Sequence, residues 1–236
     1  LSKYKDMVIL KGGMLIASMV GISSRTTMDM DATLRGYPLT EKAIQEALSE
    51  ICAIPLGDEV SLELDHITPI REDDDYGGFR VAIIAKYESI NTPLKIDIAT
   101  GDIITPEAIR YAFQSNFENK KIEVWAYNIE TILAEKVETI LRRSVLNTRP
   151  RDYYDVYIIM KTQRRAINKN LFRTALNATA QKRTSLAALR DQDIILQSIQ
   201  TDTIMRQRWE RYCKENYYAN GIEFDVVIGI LKELVS

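Results

Sequence analysis

Leu10-Lys11-Gly12-Gly13, followed by Arg25-Thr26-Thr27-Met28-Asp29-Met30-Asp31, decides how this chain is read. It predicts a glycine turn, a short helix and then a strand carrying two carboxylates. Successive strand side chains point to opposite faces. Asp29 and Asp31 therefore share one face, and Met28, Met30 and Ala32 the other. Two carboxylates on one strand face repel each other. An oxygen-ligated cation relieves that repulsion, and Mg²⁺ takes one or two carboxylates together with substrate phosphates. Adjacent glycines let a phosphate approach the backbone closely, beside the amides of a helix start. Locally, a surface strand with two solvated aspartates beside an ordinary turn would look the same, so the rest of the chain has to decide.

Working outward, residues 14–20 are apolar except for Ser18 and predict a short buried helix that Gly21 ends. Thr40 is the expected N-cap of a helix over residues 41–51, with Ala43, Ile44, Ala47, Leu48 and Ile51 on one face. From residue 60 to 98 the pattern is strand-like: 60–67, 79–87 and 93–98. Residues 72–78 read as an acidic, solvated loop. Asp97 sits in mid-strand between Ile96 and Ile98, and a carboxylate there needs an ion partner or a metal. After Gly101-Asp102 the chain reads as loop to about residue 121, and then as a short strand to Tyr127.

From Asn128 onward the character is helical. Ile129, Ile132, Leu133, Val137, Ile140 and Leu141 recur at helical spacing, and Lys136 falls in the same register. Its ammonium thus points to the body of the protein or snorkels along it. Pro150 opens a second helix on which Asp152 and Asp155 share a face. Helices are expected at 169–181, 185–200, 203–215 and 223–235. The expected division is an α/β domain over residues 1–127 and a helical domain over 128–236 that contributes Lys136 and Asp152 to the site.

Composition narrows the chemistry. With 46% hydrophobic and 27% charged residues the 236-residue chain is globular. His66 is the sole histidine, which excludes a His-rich zinc site and a Ser-His-Asp triad placed elsewhere. His66 is expected to be structural or to face solvent. Cys52 and Cys213 lack metal spacing and read as free thiols of a reducing, cytoplasmic compartment. No membrane span or signal peptide is visible. The chain begins at Leu1 rather than Met, which points to a missing natural N-terminus. Net charge is −2, yet residues 142–190 hold twelve Lys and Arg against two acids, Asp152 and Asp155. Such a block suits phosphates of a nucleotide or an RNA, or is a solvated face balanced by acids elsewhere.

Lys11-Gly12-Gly13, Arg25-Thr26-Thr27-Met28-Asp29-Met30-Asp31, Ala134-Glu135-Lys136 and Arg151-Asp152-Tyr153-Tyr154-Asp155 together resemble the successive motifs of the AbiEii/AbiGii toxin family, over about residues 8 to 160. The resemblance implies a DNA polymerase β-like nucleotidyltransferase fold, an α/β mixed sheet with flanking helices, followed by a C-terminal helical bundle. It implies transfer of a nucleotide from an NTP, with Mg²⁺ (or Mn²⁺), to an RNA acceptor, tRNA first among the acceptors, by a toxin with a cognate antitoxin. By position, Asp29 and Asp31 match the metal-binding pair, and Asp97 the third acid. Lys11, Gly12 and Gly13 match the first motif, and the resemblance implies that they bind the nucleotide together with Arg25, Thr27 and Arg151. Lys136 matches the phosphate-contacting lysine and Asp152 the late catalytic aspartate. The sequence leaves the base open among Asp97, Asp152 and Asp155. It also leaves open a small-molecule or protein hydroxyl as acceptor, and a non-catalytic NTP-binding module.

Overall fold

Strand β1 (Val8–Lys11) runs straight into helix α1 (Gly12–Val20), because Gly12 takes φ +66°, a left-handed turn that a side chain would resist. Residues 2–27, 29–55, 57, 59–70, 77–114 and 121–236 are described in this computed structural model. Met28 and the acidic run at 72–75 lie outside them. The described residues form two units. The first comprises Leu1–Ser18, Thr26–Asp102 and Ala108–Tyr127; the second comprises Met19–Arg25, Ile103–Glu107 and Asn128–Ser236.

In the first unit, β2 (Asp29–Leu34), β3 (Ser61–Ile70), β4 (Gly78–Tyr87), β5 (Ile90–Thr100), β6 (Ile109–Gln114) and β7 (Lys121–Ala126) join β1 in one sheet. The strand order is β3-β4-β5-β2-β1-β7-β6. The sheet is mixed: β2 pairs β5 in parallel and β1 in antiparallel fashion. Helix α2 (Glu41–Cys52) is capped by Thr40, whose hydroxyl accepts the Ala43 N–H at 3.2 Å. Its Ile44 and Leu48 pack with Val81, Ile83 and Ile98 in a buried core that Leu34 and Ile96 border. Strand alternation then sends Asp97 and Arg80 to the opposite face, where Asp29 and Asp31 also stand.

The second unit is helical: α3 (Ile129–Arg143), α4 (Pro150–Gln163), α5 (Lys169–Lys182), α6 (Leu186–Arg190), α7 (Gln192–Thr201), α8 (Thr203–Glu215) and α9 (Phe224–Val235). Asn128 caps α3 by accepting the Thr131 N–H at 2.8 Å. Helix α3 packs on α4 and α5, and α4 packs on α9, around Leu133, Val137, Tyr153, Val156, Phe172 and Leu231.

Three elements differ from the sequence expectation. β6 occupies part of the segment read as loop. It is an edge strand paired only with β7, and Ile109 is exposed, so its alternation carries little burial signal. The helix expected over 185–200 is broken at Asp191, whose carbonyl accepts the Ile195 N–H at 3.0 Å and starts a new helix. β5 starts at Ile90, because a tight hairpin in which Glu88 takes φ +48° pairs Tyr87 with Ile90.

Candidate active site

Register builds the site in the first unit. Lys11 lies opposite Asp31, Asp31 opposite Asp97, and Asp97 opposite Arg80. Directly opposed residues on neighbouring strands face the same way. One row across β1, β2, β5 and β4 thus reads cation, carboxylate, carboxylate, cation. Asp29 stands two residues before Asp31 on the same face, opposite Lys95.

Asp31 is bound to the helix start. Its Oδ2 accepts the Gly13 N–H at 3.3 Å. A Cβ on Gly12 would sit 2.0 Å from that same oxygen, so only glycine leaves room for this carboxylate. Amides at the start of α1 attract negative charge, and here the first anion they meet is Asp31 itself. Asp29 is exposed, and Thr27 Oγ1 accepts its N–H at 3.4 Å, which steadies the entry to β2.

The expected third acid is differently engaged. Asp97 Oδ1 accepts Arg80 Nε at 2.8 Å and Oδ2 accepts Arg80 Nη2 at 2.7 Å, a bidentate pair. The hydrogen bond and the charge of Asp97 raise the Arg80 pKa, and Asp29 and Asp31 add to the effect. Among the described residues, no group of three His, Cys, Asp or Glu is placed to hold a metal ion. Asp29 and Asp31 share one face of β2, and carboxylate oxygens are the donor type that a hard cation such as Mg²⁺ takes together with phosphates.

Lys11 is held by a residue that sequence reasoning passed over. Its Nζ lies 2.6 Å from Asp102 Oδ2, and the Tyr127 hydroxyl donates to the same oxygen at 2.7 Å. Burial pushes the Asp102 carboxyl up, but the Lys11 charge and the hydrogen bonds from Lys11, Tyr127 and Thr33 outweigh it and hold the pKa below the usual value. The available signal was Gly101-Asp102 directly after a strand that carries an acid. Arg80 was visible as a charge interrupting an apolar strand, without its partner.

In the second unit, Lys136 Nζ lies 2.6 Å from Asp152 and 3.0 Å from Asp155. Arg25 Nε reaches Asp155 at 2.7 Å, and Arg149 reaches Asp152 at 3.2 Å. The side chains of Arg25, Asp152 and Asp155 are at most 1% exposed, that of Lys136 14%. Burial opposes the Lys136 charge, yet Asp152 and Asp155 raise its pKa. Burial likewise opposes ionisation of Asp152, yet Lys136 and Arg149 lower its pKa. Lys136 and Asp152 are thus both ionised in the interior, each beside an opposite charge. Arg151 points away to solvent.

The basic block is partly neutralised within the molecule. Arg142 and Arg183 bind the buried Glu138, Arg164 binds Glu233 and Arg149 binds Asp152, while Arg173 donates to the Ser236 carbonyl. Arg151, Arg165, Lys169 and Arg190 are exposed. Of the two readings of His66, the structure shows the solvent-facing one: it is exposed and sits 2.9 Å from Asp65. No helix among the described residues is long and apolar enough to cross a membrane.

With this geometry in place, comparison with known proteins adds a family. The family model described as nucleotidyl transferase AbiEii toxin, type IV TA system, matches residues 1–228. No curated protein matches the chain. A crystal structure from H. pylori, described as that of a candidate nucleotidyltransferase, is similar with a TM-score of 0.50 at 17% identity, covering 98% of this chain and 86% of that one. The crystal structure of JHP933 from Helicobacter pylori gives a TM-score of 0.49 at 16% identity, covering 98% and 84%. At such identity the first likeness concerns the fold, a mixed sheet with flanking helices as expected from sequence.

Proposed function

Because the chain belongs to the AbiEii nucleotidyl transferase toxin family of type IV toxin–antitoxin systems, we propose that it transfers NMP from an NTP to an RNA acceptor, tRNA before other RNAs, with Mg²⁺ or Mn²⁺. The observation that carries this reading is the Asp29–Asp31 pair on one sheet face, with Asp31 seated on the amide of Gly13. Asp29 and Asp31 would hold the cation. When bound, such a cation supplies charge neutralisation at the phosphates and acidifies an attacking hydroxyl.

The chain's own residues set up the rest. Lys11 and Arg80 stand at the two ends of the carboxylate row, each beside an acid of its own, and would add positive charge for the phosphate oxygens of a bound NTP. Lys136 is kept protonated by Asp152 and Asp155, and we assign those two acids to holding that ammonium rather than to removing a proton. RNA as acceptor rests on the exposed Arg151, Arg165, Lys169 and Arg190, a smaller set than the twelve basic residues of the block. A small-molecule hydroxyl is the second reading, favoured by how many of those cations are already paired inside the protein. A cognate antitoxin is the partner that the family suggests.

The test is incubation of the purified protein with total tRNA and each α-labelled NTP in Mg²⁺, beside Asp29→Ala. Label on tRNA with the wild type and none with the variant supports the proposal. A folded, NTP-binding protein that labels no RNA would shift the acceptor to a small molecule.

A further inference from the structure

The proposed site has three acids on one face but not three equivalent ones. Asp31 is tied to the Gly13 N–H by one oxygen only, and Asp29 is exposed. Asp97 gives both oxygens to Arg80, in register on the adjacent strand, at 2.8 and 2.7 Å. Arg80 is itself half-exposed, its side chain 50% accessible, so it stands at the open side of the row. A phosphoryl-transfer centre with two metals needs a carboxylate set that neutralises both cations about 4 Å apart. Here the position where a second cation would lie against Asp97 is taken by a guanidinium that is always charged.

We infer that Arg80 replaces the second cation, so that the site binds one divalent ion on Asp29 and Asp31 while Asp97 serves as the anchor of Arg80. This deepens the nucleotidyltransferase reading and rests on it. Arg80 keeps Nη1 beyond the two bonds to Asp97, and through it the fixed charge is presented to an oxyanion. The arrangement has a plain chemical benefit. A guanidinium needs no loading from solution, so part of the positive charge at the centre is independent of metal concentration.

The experiment is Mn²⁺ titration of the full chain followed by electron paramagnetic resonance, with circular dichroism confirming that each variant is folded. The wild type is expected to bind one Mn²⁺, lost in Asp29→Asn. Asp97→Asn in the wild-type background is expected to leave that stoichiometry unchanged. Arg80→Gln frees Asp97, and Mn²⁺ binding is expected to tighten by roughly tenfold or to rise to two ions, as removal of a neighbouring positive charge dictates. Two Mn²⁺ in the wild type, one of them absent in Asp97→Asn, would overturn the inference and leave the nucleotidyltransferase reading standing. No Mn²⁺ bound by the wild type or by Arg80→Gln would sink the metal site itself. Should Arg80→Gln not fold, the Asp97→Asn arm alone still decides.

Discussion

The space of a single atom sets Gly12 apart from Gly36. Both take positive φ, +66° and +67°, but nothing lies within 4 Å of a Cβ built on Gly36, whereas one on Gly12 would strike Asp31. Gly36→Ala should therefore cost only backbone strain, about 1 kcal/mol. Gly12→Ala should cost roughly 1–3 kcal/mol for strain and displacement and should also push Asp31 off the Gly13 amide. Thermal unfolding of the two variants, with nucleotide labelling measured alongside, separates these effects. Equal loss of activity in both would refute the claim that Gly12 is there for Asp31. The glycine pair was conspicuous in the sequence as a cradle for phosphate. Nothing there indicated that the pair's nearest anion is the chain's own carboxylate, because that contact joins residues 18 apart and depends on the register of β1 against β2.

At the scale of elements, α3 and α4 are joined by charge as well as by packing. Lys136 on α3 reaches Asp152 and Asp155 on α4, in an interior where an unmatched charge is strongly unfavourable. Lys136→Met leaves two buried aspartates short of a cation and should destabilise by about 3–5 kcal/mol in urea unfolding; a change below about 1 kcal/mol would show that the pair is not buried in solution. The pH dependence follows from the signs. The Asp152 pKa is lowered on folding, so its contribution is present above the ordinary carboxylate value and is lost as pH falls through the folded value. The Lys136 pKa is raised, so its contribution is complete below the ordinary lysine value and is lost as pH rises through the folded one. Stability of the wild type relative to Asp152→Asn should therefore be greatest near neutrality and shrink on acidification. A gap that stayed constant from about pH 7 to about pH 3 would contradict an ionised, paired Asp152. Helical spacing put Lys136 in the register of the apolar face and Asp152 and Asp155 on one shared face, but left open whether the lysine turns inward or snorkels. Their mutual pairing was not legible, since periodicity gives the face of each helix and not which helices meet. The same limit hid the partner of Arg80 on β5 and the role of Asp102 in its loop, and it hid β6, an edge strand with only one paired side. The Thr40 cap fared better: it acts over three residues, within the reach of a local pattern.

For the whole molecule the open quantity is how much positive charge remains to meet an RNA. The chain is slightly acidic, with net charge −2, so affinity for a polyanion has to come from a local set of cations rather than from the overall field. Residues 142–190 supply twelve, but Arg142, Arg149, Arg164 and Arg183 are held by acids, which lowers the positive charge left to release counterions from a polyanion. Arg165 and Lys169, four residues apart, are exposed at the junction leading into α5. If RNA is the acceptor, these two are the first residues to test. Arg165→Glu with Lys169→Glu should then weaken tRNA binding at low salt. It should also flatten the plot of log affinity against log salt by roughly 0.7 for each phosphate no longer neutralised, about 1.4 for the pair. Filter binding at a series of KCl concentrations measures that slope directly. Labelling of a small hydroxyl acceptor by the same double variant should be unaffected, because the proposed role of these two residues is to meet RNA phosphates and neither is part of the carboxylate row. An unchanged slope, with tRNA still labelled, would place the RNA-binding surface elsewhere on the chain. An unchanged slope with no tRNA labelling by the wild type would remove the basic block from the argument and leave the Asp29–Asp31 chemistry to act on a smaller acceptor.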